Sequence, residues 1–126
     1  MSVDFQKYTY REAGKELATI EQHLRAFGPN SRDFCLECIA KHTMHLSKLA
    51  SEGKGFFPND VDWWTKLEDW TDKILDEGEA GEVNHEKTQA WAEEARLLRK
   101  ELQSKYMGNM GRCECVTGLE PCCHGG

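Results

Sequence analysis

No apolar run in this chain approaches the ~20 residues that a bilayer-spanning helix requires. The start, MSVDFQKYTYREAGKEL, contains no apolar stretch of the signal-peptide kind. Both absences predict a cytoplasmic chain without membrane contact, or a virion component that leaves the cell inside a particle. Clusters of Lys and Arg are also missing, and the net charge is −6. A general nucleic-acid binder needs a basic face to displace counterions, so no nucleic-acid partner is expected. There is no glycine-rich phosphate loop, no period-two alternation marking a strand, and no internal repeat. At 126 residues the chain is long enough for one domain with its own core.

What is present is helical periodicity. Tyr10, Ala13, Leu17, Ile20, Leu24 and Phe27 recur at steps of three and four, which makes one apolar stripe. Residues 1–8 carry no stripe and read as an arm. Gly28-Pro29 ends the first helix, because proline cannot continue it. A second helix is expected from Asn30 or Ser31, with Leu36, Ile39, Leu46 and Ala50 on one seam. Cys35, Cys38, His42, His45 and Leu49 lie on the seam beside it, and Gly53 reads as the helix end. Phe56 and Phe57 in the following loop are expected to turn inward.

Asn59 or Asp60 caps a third helix with Trp63, Leu67, Trp70 and Ile74 as its stripe. A fourth begins near Asn84 and carries Trp91, Ala95, Leu98, Leu102 and Tyr106. The fold class is therefore all-α, an antiparallel bundle of about four helices over residues 1–107. Residues 108–126, GNMGRCECVTGLEPCCHGG, break all periodicity. They read as an irregular Cys- and Gly-rich tail that folds back onto the second helix.

Most of the chemistry-bearing residues fall in two short segments. Cys35, Cys38, His42 and His45 share a helix face at relative positions 0, 3, 7 and 10. Thiolate and imidazole are the preferred zinc ligands. At ~1.5 Å per residue, His42 lies ~10 Å along the axis from Cys35, within reach of an ion centred near Cys38. His45, ~15 Å from Cys35, cannot share an ion with it. One helix cannot surround a metal. The tail offers the missing donors as Cys113-x-Cys115 and Cys122-Cys123-His124, enough to complete one site or two.

Zinc, as one or two ions, is the expected cofactor, with Cu(I) and iron left open. A second reading makes the Cys/His seam ordinary bundle interior, with the histidines bonded to carboxylates across the bundle. The Glu82–His85 stretch matches one half of a di-iron motif, but only one copy exists, and a solvated His85 is expected instead. His23 reads as surface or rim.

The segment CLECIAKH followed by LSKLASEG resembles the C-x-x-C-x-x-K-H helix of small uncharacterised helical proteins, many of them phage-encoded. The resemblance spans Cys35 to about Glu52 and rests on Cys35, Cys38, Lys41 and His42. It implies a metal-binding viral or accessory protein and no assigned activity. Residues and resemblance together predict a non-enzymatic protein with structural zinc, acting as an interaction component with a protein partner or copies of itself. Two alternatives stand beside it: a metal-dependent or thiol-redox enzyme, and a metal storage or transfer protein.

Overall fold

The computed structural model describes residues 2–27, 34–81 and 83–110, and the side chains of 7–27, 37–81 and 83–108. Among these residues there are four α-helices, one 3-10 turn and no strand: α1 (Ser2–Ala26), α2 (Phe34–Phe56), the turn Pro58–Asp60, α3 (Val61–Ala80) and α4 (His85–Met110). None of these helices is long and apolar enough to cross a membrane.

Each helix runs antiparallel to the next. The chain goes round the bundle, so α1 packs between α2 and α4, and α3 packs on α2. All six residues of the α1 stripe are buried, from Tyr10 to Phe27. So are all four tryptophans. They split by role. Trp64 is fully enclosed in an aromatic cluster with Tyr10 and Phe57, at ring-centre separations of 5.6 and 5.9 Å. Trp63 and Trp70 bury their rings between α3 and α4 and donate their indole N–H groups to Glu101 and Glu94, at 2.7 and 2.8 Å. Lys66 and Lys73 reach the same two carboxylate oxygens, at 2.9 and 3.2 Å. Two identical Trp–Glu–Lys rungs, seven residues apart on each helix, thus close the fourth side of the bundle.

The helix ends follow local chemistry. Asn84 caps α4, its side-chain oxygen accepting the Lys87 backbone N–H at 2.8 Å. Gly81 closes α3 in the left-handed conformation at φ 75°, which costs glycine little. The last carbonyls of α1 are met from α4: His85 Nδ1 donates to the Phe27 carbonyl at 2.8 Å and Gln89 donates to that of Leu24 at 3.1 Å.

Four expectations change. α1 starts at Ser2, so residues 2–8 are helix rather than an arm. Gly53 does not end α2, which continues to Phe56. A Cβ at Gly53 would lie 2.3 Å from the Trp64 ring, so the glycine is a notch that lets the indole reach the helix backbone. Phe57 turns inward as expected, while Phe56 stays 37% exposed. The expected tail fold-back lies outside the described residues, and α4 extends through Met110.

Candidate functional site

The second helix buries Ile39, Thr43, Leu46, Leu49 and Ala50. That choice of core face turns Cys38, His42 and His45 toward the edge shared with α1. Cys38 is exposed and free. The side chains of His42 and His45 are 31% and 42% exposed. Both rings lean onto one acceptor from α1. Glu16 Oε2 lies 3.0 Å from Nδ1 of His42 and 3.1 Å from Nδ1 of His45, and Oε1 lies 3.2 Å from the former.

Glu16 itself is only 8% exposed. A carboxylate taken out of water costs several kcal/mol unless hydrogen bonds replace its hydration, and the two imidazoles supply them. An ionised carboxylate can only accept, so each Nδ1 carries the proton and donates. In a neutral ring this leaves the lone pair on Nε2. Glu16 thereby fixes both tautomers, with two Nε2 acceptors that have no partner among the described residues. Carboxylate-held imidazoles of this kind are the common supporting arrangement behind metal-ligating histidines.

His23 belongs to the same group. It lies seven residues after Glu16 on the same face of α1. Its half-buried ring stands 5.7 Å from that of His42, with the planes 22° apart.

The structure therefore brings Cys38, His42 and His45 to one seam and adds two α1 residues that sequence reasoning did not place there, Glu16 and His23. Their signal was present: 13, 16, 20 and 23 continue the helical spacing along one flank of the α1 stripe. Cys35 sits on the α2 backbone one turn before Cys38, and its side chain is outside the described set. Cys113, Cys115, Cys122, Cys123 and His124 are outside it altogether, as is Glu82. His85 is exposed and tied to the end of α1.

Among the described residues, no group of three or more His, Cys, Asp or Glu side chains is arranged to hold a metal ion. A complete site would need further donors, and Cys35 and the tail residues are of the right chemical kind. A cleft of about 600 Å³ between α2 and α3, reaching Leu24 and Trp91, is lined by apolar residues such as Ile39, Met44 and Ile74. Among the described residues its only titratable groups are Glu37 and Glu79, and the His and Cys donors lie on the other edge of α2.

Fold and site define a class: an antiparallel four-helix bundle with a carboxylate–imidazole cluster in one interhelical seam. Comparison with protein-family models, curated proteins and solved structures finds no match to this chain.

Proposed function

We propose that the chain is a non-enzymatic zinc-binding helical protein, a structural or interaction component of a larger assembly such as a phage particle. One observation carries the reading. The buried Glu16 holds Nδ1 of both His42 and His45, so each ring keeps Nε2 free on the helix face that also carries the exposed thiol of Cys38. The resemblance of CLECIAKH to the C-x-x-C-x-x-K-H helix of small, often phage-encoded proteins points the same way. In this reading the ligand set is Cys35, Cys38, His42 and His45, completed by Cys113, Cys115, Cys122, Cys123 and His124 of the tail. Metal ligation would be folding energy, tying the tail to the bundle.

Elemental analysis of the purified full chain tests this. One or two zinc ions per chain are expected, and deletion of residues 112–126 should abolish tight binding while leaving most helix content. A metal-free full chain that does not take up zinc would sink the proposal. Unchanged affinity in the truncated chain would remove the tail from the site.

A second reading has an observation of its own. The exposure of Cys38 and His45 suits a site with an open coordination position, as a hydrolytic or thiol enzyme needs. A cobalt-substituted protein whose absorption shifts on adding small anions would favour it. A closed structural site would not respond.

A further inference from the structure

We propose that the apolar cleft between α2 and α3 receives a basic amphipathic helix of a protein partner. This deepens the interaction part of the reading above, on the opposite edge of α2 from the histidines, and does not depend on zinc. The shape of the cleft is the first support. Its floor is made by buried apolar residues of all four helices: Leu24, Ile39, Ile74 and Trp91. Met44 lines it too and is 61% exposed, the most exposed large apolar side chain among the described residues. A flexible thioether in such a place adapts to a partner's side chains. Gly78 keeps the cleft deep. Only Gly81 needs a positive φ, and a Cβ at Gly78 would meet nothing within 4 Å. Glycine inside a helix is less stable than alanine, so neither backbone conformation nor internal packing accounts for this one.

Charge identifies the occupant. Among the described residues the lining contains no Lys, Arg or His. Its two charged members, Glu37 and Glu79, have no ion pair or hydrogen bond there. Glu79 also ends a row on the outer face of α3. Asp69, Asp72, Asp76 and Glu79 follow at steps of three, four and three, all exposed and none paired among the described residues. The remaining charges beside them are engaged: Lys66 and Lys73 turn to α4, and Glu68 and Glu77 pair with Lys54 and Lys87. Like charges three and four residues apart weaken a helix, and cations laid alongside relieve this.

Length identifies the form. From Asp69 to Glu79 the row runs about 15 Å, close to three turns. A small organic cation would meet one end of it. A helix lying along the groove would meet all of it with Lys or Arg at the same spacing, while its apolar side chains enter the cleft. A second copy of this chain suits the face poorly, because a two-fold pairing would bring the two acidic rows together. The competing interpretation is a solvated acidic face beside an idle cleft, which predicts no binding that depends on Gly78.

The test uses the full chain and a fluorescently labelled synthetic helix of about four turns, with leucines on one face and lysines on the other. A twin peptide carries glutamate for lysine. In anisotropy titrations the basic peptide should bind at least about tenfold tighter than its twin, and more weakly as salt rises. The double variant Glu37→Gln/Glu79→Gln should lose most of that preference. Gly78→Leu fills the cleft and should weaken binding by more than about tenfold, while its melting temperature holds or rises. Binding of neither peptide, or of both alike, would overturn the proposal. So would a basic peptide indifferent to Gly78→Leu, since the acidic row alone would then hold it. A lower melting temperature in Gly78→Leu would give the space to the chain's own side chains, and self-association abolished by Gly78→Leu would give it to a second copy; either overturns the proposal. Zinc measured in the same samples separates the two readings: failure of the peptide with zinc retained strikes this inference alone, and a zinc-free chain that still prefers the basic peptide leaves it standing.

Discussion

Two glutamates of α1, five residues apart, are equally buried at 8% exposure and have opposite surroundings. Five residues rotate the helix surface by about 140°, so Glu16 faces α2 and Glu21 faces α4. Glu21 accepts from Arg99 Nη2 at 2.6 Å and from Arg25 Nε at 2.8 Å. Glu16 accepts from two imidazoles. Guanidinium stays charged at any pH a protein survives, so the α1–α4 seam is permanently compensated. Imidazole carries a second nitrogen that can donate, accept or ligate. The same carboxylate, buried to the same degree, is thus a fixed fastener on one side of α1 and a chemically open support on the other.

The largest expected effect comes from breaking the fastener. Arg99 and Glu21 have side chains 14% and 11% exposed, so Arg99→Ala leaves a buried carboxylate held only by Arg25, whose side chain is 44% exposed. A loss of about 3–5 kcal/mol is expected in chemical denaturation. Arg25, whose side chain is 44% exposed, should cost under about 1 kcal/mol when changed to alanine. Equal losses from the two substitutions would mean that burial does not govern this seam.

Next comes Glu16→Gln, which keeps the shape and removes the charge. Under the proposed zinc-binding function, affinity for the metal should fall about 10- to 100-fold with helix content unchanged. Glu21→Gln should do the reverse, lowering stability while leaving zinc affinity as it was. If both variants lose affinity alike, the two seams are not separable in function.

The smallest effect lies on the α3–α4 side. Burial pushes the Glu101 carboxyl up, but the Trp63 indole N–H and the Lys66 ammonium together outweigh it and hold the group below the usual carboxylate range. A depressed pKa in the folded state means stabilisation present above the unfolded value and lost as pH falls through the lower folded value. The group is partly exposed, so the contribution should stay under about 1 kcal/mol. Wild type should exceed Glu101→Gln in stability at neutral pH, and the gap should close on acidification below about pH 4. A gap that persists in acid would assign the difference to shape rather than charge.

The helical frame was legible because its stripes are long and regular. Tyr10 to Phe27 and Trp91 to Tyr106 repeat over many turns, and periodicity of that length has one low-energy interpretation. The Asn84 cap was legible for the same local reason. Residues 2–8 were not, since a helix can extend beyond its apolar stripe when the next turns are already nucleated. Gly53 was read as a helix end because the sequence does not reveal that Trp64, eleven residues later, returns to it. The seam of Cys38, His42 and His45 was legible as a shared face. Its carboxylate was not, because a glutamate next to Lys15 looks like any solvated residue until a second helix is laid beside it. The alternative that the histidines bond a carboxylate across the bundle describes the Glu16 contacts, while the exposure of Cys38 departs from its picture of a buried seam.

The paired rungs between α3 and α4 raise a question of uniqueness. Trp63–Glu101–Lys66 and Trp70–Glu94–Lys73 are chemically the same and one heptad apart. If α3 slid seven residues along α4, one rung would re-form with swapped members, so that interface alone tolerates two alignments. Gly53 does not tolerate them. It is a single gap that accepts a single indole, and its contact with Trp64 is so close that no side chain fits between. Of the two sides of α3, one supplies adhesion and the other supplies the alignment that separates the native arrangement from its slipped competitor.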